Sequence, residues 1–241
     1  LEFRRVLFRS STMPAAEKSE LIDAWKEELD NIYDKKIPAT NIGRKIYKNC
    51  IRFDLPKSAW MEILNSAQLN AAKPLLAPHM KIFEQYINGM AVVPINLALM
   101  IMANEHPAAN AELSKYLGCA VMITYMLRDI KDDAKYGRVY IPCEILEKSS
   151  VEIGQSRNIV ENKNISAARE ELSKQAETCF VKAERLLSKM NRNEVMALKL
   201  IKNVSWCLFE NMQKRGWEII SPKPKIGFIK NLNIIYQTIF K

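Results

Sequence analysis

Two carboxylates four residues apart stand at the end of a long apolar segment. Asp129 and Asp133 belong to the sequence LRDIKDDAKYGRVYIP, which occupies positions 127–142. On a helix this spacing places both side chains on one face, one turn apart. Mg²⁺ is typically held by one or two carboxylates, with waters and substrate phosphates as its remaining ligands. The pair therefore predicts a magnesium site, and the neighbouring Arg128 and Arg138 could bind the phosphates.

The composition restricts how phosphate could be bound. The chain has 241 residues, 48% of them apolar, which is enough for a large core. Only 7 residues are glycine, and neither a GxxxxGK[ST] nor a GxGxxG loop is present. Side chains and metal would therefore have to bind phosphate. The formal net charge of +9 suits diphosphates or an anionic membrane surface, and no nucleic-acid-binding motif is visible, so we expect no nucleic-acid partner.

The first ten residues, LEFRRVLFRS, match the in-frame translation of a sequencing-library adapter. We expect residues 1–10 to be non-native and exclude them from reasoning about the fold and about targeting. We treat residues 11–241 as a single domain whose native start lies upstream of Ser11. The remaining chain is still basic.

The cysteines are scattered and show no pairing pattern. They stand at positions 50, 119, 143, 179 and 207 and form no CxxC pair. They also show no metal-ligand spacing with His79 and His106. An odd number of cysteines in apolar surroundings predicts buried thiols in a reducing compartment, so we expect a cytoplasmic protein.

The apolar periodicity is helical along the chain, with no convincing alternating strands. One all-α domain is therefore the simplest organisation. The predicted helices span 15–34, 40–52, 57–70, 80–104, 108–135, 165–190 and 192–217, with a polar loop over 148–164.

Two segments raise the question of a membrane. The predicted helix from Met80 to Asn104 contains Pro94, which predicts a kink. Its uninterrupted apolar core of about 14 residues is too short for a membrane span, so we interpret it as a buried central helix. The tail from Ser221 to Lys241 carries four lysines and no acidic residue. It is either a final helix packed on the body or a basic amphipathic helix on the inner membrane surface.

Several segments resemble the squalene/phytoene synthase family. LRDIKDDAKYGRVYIP resembles its second aspartate-rich region, whose pattern is close to N-I-L-R-D-x-x-E-D-x-x-x-G-R-x-Y-x-P. Residues 23–33 are similar to the family's Leu-Asp-Ala-Trp helix, 52–56 to its Arg-Phe-x-Leu-Pro turn, and 215–217 to its C-terminal Arg-Gly-Trp signature. The likeness spans about residues 12–230. It implies an all-α isoprenoid (terpenoid) synthase helical bundle that lacks its first helices.

The resemblance implies a Mg²⁺-dependent prenyltransferase that joins two prenyl diphosphates head to head. The segment Pro74–Met80 is similar to bacterial presqualene diphosphate synthases. This likeness implies two farnesyl diphosphates as substrates and presqualene diphosphate or squalene as product. A phytoene synthase acting on geranylgeranyl diphosphate is one alternative. A catalytically lapsed relative that acts as a binding or assembly factor is the other.

The same resemblance assigns roles to residues of the motif at 127–142. Asp129 and Asp133 would ligate Mg²⁺ and take part in catalysis. Arg128 and Arg138 would bind the substrate diphosphate, and Arg128 would also be catalytic. Each of these residues stands at the position that the family pattern requires.

Two tyrosines complete the implied site. Tyr86 stands where the family's Tyr-Cys-x-x-Val-Ala-Gly helix begins and would be the active-site tyrosine. Tyr140 would support the Gly-Arg-x-Tyr loop and contribute to diphosphate binding. Other nearby positions depart from the family pattern, among them Asn70, where the family usually has a carboxylate. The remaining departures are Ser66, Val92, Ile95, Met122 and Tyr125.

The family's first aspartate-rich motif is not recognisable. It is expected just before the Leu-Asp-Ala-Trp helix, where residues 1–10 stand. Asp30 and Asp34 imitate such a pair but fall on the following helix, and we interpret them as a solvated helix end. Because only one of the family's two aspartate-rich metal-binding motifs is recognisable, we expect weak or no synthase activity from the chain as given.

Overall fold

The computed structural model describes residues 13–103 and 106–240. Within these ranges the chain forms helices and no named strand, so the all-α prediction is confirmed. The predicted helix ends agree with the structure to within three residues. Residues 1–10, which we expect to be non-native, lie outside the described residues. The helices are α1 (Ala15–Tyr33), α2 (Asn41–Phe53), α3 (Lys57–Ala71), α4 (Met80–Met102), α5 (Pro107–Ala134), α6 (Cys143–Lys148), α7 (Ser156–Glu161), α8 (Ile165–Leu187), α9 (Arg192–Arg215) and α10 (Phe228–Phe240).

The predicted polar loop at 148–164 is partly helical, so that prediction is wrong for α7. This short helix buries Ile159 and Val160 against the core. The hydroxyl of Ser156 donates a hydrogen bond of 2.8 Å to the carbonyl oxygen of Ala134, the last residue of α5. Two apolar residues in an otherwise polar segment were therefore sufficient to anchor a helical turn beside the end of α5.

Helix α5 is the centre of the bundle and packs most extensively against α8. Its side chains Leu117, Ile123 and Leu127 are completely buried. Arg169 of α8 is also buried, and its guanidinium donates a hydrogen bond of 3.3 Å to the carbonyl oxygen of Leu127 and another to that of Trp217. A buried guanidinium needs such partners, because an unpaired buried charge is costly. Arg169 thus fixes the last turns of α5 relative to the segment after α9.

Helix α4 contains a π-helical turn, Asn88–Val92, directly before Pro94. Glycines allow neighbouring helices to approach this turn closely. A Cβ atom on Gly118 of α5 would lie 2.8 Å from the Cα of Val92, and one on Gly89 would lie 2.6 Å from the carbonyl oxygen of Glu62 in α3. The irregularity expected at Pro94 is therefore a π turn on which α3 and α5 converge.

The expectation that the segment of α4 is too short to span a membrane is wrong. At 23 residues, and with a mean hydropathy of 1.4 in its most apolar window, α4 could cross a membrane by length and composition. The unbroken apolar run is only the C-terminal part of this helix, which begins earlier, at Met80, with residues that include Lys81 and Glu84. In the fold, α4 packs on α3 and α5 and buries Phe83, Tyr86 and Leu99, so it is a helix of the bundle.

The prediction of buried thiols is confirmed for four of the five cysteines. All five cysteines are free, and four of them are buried. Cys119 is the partly exposed one.

Candidate active site

A tight turn follows α5 and brings the chain back toward Asp129 and Asp133 on that helix. Gly137 adopts φ +76°, a conformation that favours glycine because it has no Cβ atom. The backbone N–H of Gly137 donates to the carbonyl oxygen of Ala134 (3.1 Å), and that of Arg138 donates to the carbonyl oxygen of Asp133 (3.1 Å). The turn therefore holds Arg138 beside the helix end that carries Asp129 and Asp133.

The segment after this turn pairs with the chain between α3 and α4. Leu76 and Val139 form an isolated parallel bridge. The N–H of Ala77 donates to the carbonyl oxygen of Val139 (2.8 Å), and the N–H of Val139 donates to that of Leu75 (2.9 Å). This bridge joins the PLLAPHM segment at 74–80 to the GRVYIP segment and fixes the backbone that carries Arg138 and Tyr140.

Tyr86 and Tyr140 stack in the core with Asn70 between their hydroxyl groups. Their ring centroids are 5.4 Å apart and their planes differ by 13°. The Asn70 amide nitrogen donates to the hydroxyl of Tyr140 (3.1 Å) and to that of Tyr86 (3.4 Å), and its carbonyl accepts the N–H of Leu75 (3.2 Å). Burial raises the pKa of both tyrosines above their usual value, so both phenols are neutral at physiological pH.

Charged side chains from two parts of the chain form a cluster at the end of α5. Arg128 donates two hydrogen bonds to Asp129, Nε to Oδ1 at 2.8 Å and Nη2 to Oδ2 at 2.6 Å. Lys223, which follows α9, lies 3.1 Å from Oδ1 of Asp129 and also pairs with Asp132. Hydrogen bonds from Lys135 and Lys223 lower the pKa of Asp132 to about 2. Asp129 and Asp132 are therefore neutralised by side-chain cations.

Asp133 has a different environment from its neighbours. Burial, followed by the negative charge of Asp129, raises its pKa to about 6, although Arg138 opposes this shift. Among the described residues, no hydrogen bond or ion pair of the Asp133 carboxylate is found, and the buried Nε–H of Arg138 likewise has no acceptor there. The site thus contains a half-buried carboxylate without a hydrogen-bond donor near a buried N–H without an acceptor, within the described residues. A divalent cation and an anion would satisfy both.

The structure brings the six residues singled out from the sequence into one region. Arg128 and Asp129 form an ion pair, Tyr86 and Tyr140 stack, and the charges of Asp133 and Arg138 act on both phenols. Their proposed roles in binding and catalysis remain predictions. Asp30 is an exposed residue whose carboxylate pairs with Lys57 at 2.8 Å, as expected for a solvated helix end.

Two of the departures from the family pattern contact residues in or beside the site. The Tyr125 ring lies under the Arg128 guanidinium, 4.5 Å from its carbon. The Ser66 hydroxyl donates to the carbonyl oxygen of Gln85 at 3.1 Å, and Met122 packs on the core. Sequence reasoning missed Lys223 as a site residue. The only signal was the basic character of the tail from Ser221 to Lys241, which we interpret as a final helix or a membrane-surface helix.

Known proteins resemble this chain along most of its length. The presqualene diphosphate synthase of Zymomonas mobilis is 22% identical over 212 residues, which are 87% of this chain and 70% of that protein. The presqualene diphosphate synthase of Rhodopseudomonas palustris is 22% identical over 228 residues, which are 94% of this chain and 80% of that protein. Both relatives therefore align along most of their length.

A solved structure shows the same fold. A dehydrosqualene synthase in complex with a ligand superposes with a TM-score of 0.78 at 19% identity, covering 97% of this chain and 80% of that one. This likeness confirms the all-α isoprenoid synthase bundle. The profile described as squalene/phytoene synthase matches residues 3–222. The prediction of a prenyltransferase of this type is therefore confirmed, and the chain belongs to the squalene/phytoene synthase family.

Proposed function

We propose that this protein condenses two farnesyl diphosphates head to head to presqualene diphosphate, the first step toward squalene. The observation that carries the proposal is the pair formed by Asp133 and Arg138 at the end of α5. The half-buried carboxylate of Asp133 interacts electrostatically with Arg138, whose Nε–H lacks an acceptor in the described part of the chain. The named relatives support presqualene diphosphate as the product, since both are presqualene diphosphate synthases.

The carboxylates at the end of α5 fit a divalent cation. Asp129 and Asp133 supply hard oxygen ligands one helical turn apart, which is the donor type that Mg²⁺ prefers. The raised pKa of Asp133 indicates that its negative charge is poorly compensated without a cation. Mg²⁺ bound by these two residues would act as a Lewis acid that neutralises a leaving diphosphate.

Three side-chain cations would bind the diphosphate. Arg138 has a free donor, and its planar guanidinium suits the geometry of phosphate oxygens. Arg128 is held by its two hydrogen bonds to Asp129, so its positive charge also lies at the end of α5. Lys223 approaches from the segment after α9 as a mobile point charge on a long side chain. Together these three cations would compensate the negative charge of a diphosphate. Without them, the carboxylates at the end of α5 would repel it.

The stacked tyrosines suit the chemistry that follows diphosphate loss. Because burial keeps both phenols protonated, neither Tyr86 nor Tyr140 acts as a general base at neutral pH. Their ring faces carry partial negative charge and can stabilise a nearby carbocation. Their hydrogen bonds to Asn70 fix the orientation of the pair, and the apolar core around them excludes the water that would quench a cation.

One observation favours a non-catalytic relative as the second candidate. Asn70 replaces the carboxylate usual in the family, and its amide nitrogen is used by both tyrosine hydroxyls. A neutral side chain there cannot contribute negative charge to cation binding. If that missing charge prevents catalysis, the protein would bind a prenyl diphosphate without coupling it to a second one.

Product analysis with the protein in excess over substrate distinguishes these functions, because it detects even slow turnover. The chain is incubated with Mg²⁺ and either farnesyl or geranylgeranyl diphosphate, and the products are identified by mass spectrometry. We expect a C30 product from farnesyl diphosphate that is lost in Asp133→Asn. A C40 product alone would indicate a phytoene synthase. Tight binding without any product would favour the binding factor.

We also propose that α10 contacts an anionic membrane surface on the cytoplasmic side. The helix packs on α9 through Thr238, whose hydroxyl accepts a hydrogen bond of 2.9 Å from Asn203. The exposed lysines at 225 and 230 would attract anionic lipid headgroups. The opposite side of the helix exposes seven large apolar side chains: Phe228, Ile229, Leu232, Ile235, Tyr236, Ile239 and Phe240.

A further inference from the structure

We propose that His79, Cys143 and Glu144 form a second metal site, selective for a borderline-soft divalent cation such as Zn²⁺. Their potential ligand atoms all lie within 4.8 Å of one another. The Cys143 sulfur lies 3.1 Å from Nδ1 of His79 and 3.4 Å from Oε2 of Glu144. Nδ1 of His79 lies 3.5 Å from Oε1 of Glu144. None of the three belongs to the carboxylate cluster of α5.

The backbone holds these three residues in place. The N–H of Cys143 donates to the carbonyl oxygen of Pro78 at 3.0 Å, next to His79. The N–H of Met80 lies 3.0 Å from both carboxylate oxygens of Glu144. The Leu76–Val139 bridge pins the same two segments a few residues earlier. The juxtaposition of His79 and Cys143 therefore follows from main-chain pairing, and the N–H of Met80 holds the Glu144 carboxylate beside them.

The distances match the coordination sphere of zinc. With Zn–S near 2.3 Å and Zn–N or Zn–O near 2.0–2.1 Å, a tetrahedral site has ligand atoms about 3.3–3.6 Å apart. The three observed separations lie close to this range. Because the His79 side chain is 81% exposed, water can supply the fourth ligand. A thiolate, an imidazole and a carboxylate together favour Zn²⁺ or Co²⁺ over the Mg²⁺ that all-oxygen sites bind.

Without a cation, the same groups can hydrogen-bond to one another. Burial, together with Glu144, raises the pKa of the Cys143 thiol, so the thiol stays protonated at neutral pH. Binding of a cation would release this proton and form a metal–thiolate bond. The site would then tie the start of α4 to the start of α6, immediately after the loop that carries Arg138 and Tyr140. Its expected effect is to stabilise that loop.

Cobalt titration of the metal-free protein tests the site, because Co²⁺–thiolate ligation gives a charge-transfer absorption band. We expect one equivalent of Co²⁺ to produce this band and Zn²⁺ to displace it. His79→Ala, a change at an exposed side chain, and Cys143→Ala should both abolish it. His106→Ala and Cys207→Ala are matched controls that should leave it unchanged, as should Asp133→Asn.

Thermal unfolding provides a second readout. Zn²⁺ should raise the Tm of the wild-type protein and of His106→Ala, but not that of His79→Ala. Absence of the thiolate band in the wild-type protein would overturn the proposal. A band that persists in His79→Ala or in Cys143→Ala would overturn it as well. Neither result would bear on diphosphate binding, which depends on other residues.

Discussion

The ammonium group of Lys223 lies 3.1 Å from Oδ1 of Asp129, although 94 residues separate the two in sequence. The same group also pairs with Asp132. A cation from the segment after α9 therefore stands among the carboxylates of α5, next to the atoms that would receive a divalent metal. From this position the ammonium group should weaken metal binding, because it competes for Asp129, and should strengthen diphosphate binding, because it supplies positive charge.

Replacing Lys223 with alanine should separate these two effects. Loss of the ammonium group removes a competitor from Asp129, so Mg²⁺ alone should bind more tightly. Loss of a diphosphate-binding cation should weaken the binding of inorganic diphosphate in the presence of Mg²⁺ by about tenfold, equivalent to about 1.4 kcal/mol. Calorimetric titration measures both affinities. The exposed Lys225→Ala is the control, and a Lys223→Ala protein indistinguishable from it would remove Lys223 from the site.

Asp133→Asn should stabilise the metal-free protein at neutral pH. The folded-state pKa of Asp133 is about 6, above the unfolded value of about 3.9. Its contribution to stability is therefore fully present below about pH 4 and is lost as the pH rises through about 6. A neutral amide avoids this loss of stability. At pH 7.5 in EDTA we therefore expect Asp133→Asn to have a higher Tm, by about 2–4 °C for each kcal/mol gained in the free energy of unfolding.

The pH dependence provides the internal control for this variant. Between pH 4 and pH 6, the difference in Tm between Asp133→Asn and the wild-type protein should shrink as the wild-type carboxyl becomes protonated. Asp30→Asn, at an exposed carboxylate on α1, should show no such trend. A destabilised Asp133→Asn protein at pH 7.5 would contradict the uncompensated charge at this position.

Asn70→Leu should destabilise the fold. The substitution removes three hydrogen bonds, to the hydroxyls of Tyr86 and Tyr140 and from the N–H of Leu75, and leaves these groups buried. We expect a loss of about 2–4 kcal/mol in the free energy of unfolding, measured by denaturant titration. Tyr86→Phe, which removes only one hydroxyl at 3.4 Å, should cost less than half as much. Equal losses for the two variants would show that Asn70 does not organise the pair.

The exposed side of α10 should bind vesicles that contain anionic lipid. Co-sedimentation of the protein should decrease with added salt and should be weak with neutral lipid, because lysines supply the long-range attraction. The double variant Leu232→Ser/Tyr236→Ser should bind at least about tenfold less well, since each side chain contributes about 1.5–3 kcal/mol on burial. Val181→Ser, at an exposed apolar residue of α8, is the control. Equal binding of the double variant and the control would exclude α10 as the contact.

Local sequence patterns were sufficient for the helices and for one half of the site. Apolar periodicity located the helix ends to within three residues, because it depends on only a few neighbouring residues. The spacing of Asp129 and Asp133 likewise predicted their common face. A turn such as Ser156–Glu161, with only two buried apolar residues, gave too weak a periodic signal to be recognised.

The contacts that complete the site depend on distant parts of the chain. Sequence separations of 94, 70 and 64 residues lie between Lys223 and Asp129, between Asn70 and Tyr140, and between His79 and Cys143. The apolar periodicity of the sequence does not predict such contacts, because they form only when distant helices pack together in the bundle. The sequence spacing of cysteines and histidines likewise gave no sign that His79 and Cys143 lie side by side.

Calorimetric titration of the chain with farnesyl diphosphate, in Mg²⁺ and in EDTA, tests whether the end of α5 binds metal and diphosphate together. We expect binding that requires Mg²⁺ and that weakens at least about tenfold in Asp133→Asn and in Arg138→Ala. Asp30→Asn should bind like the wild-type protein. Binding of equal strength in EDTA, or an Asp133→Asn protein that binds normally in Mg²⁺, would contradict the assignment of the end of α5 as the metal–diphosphate site.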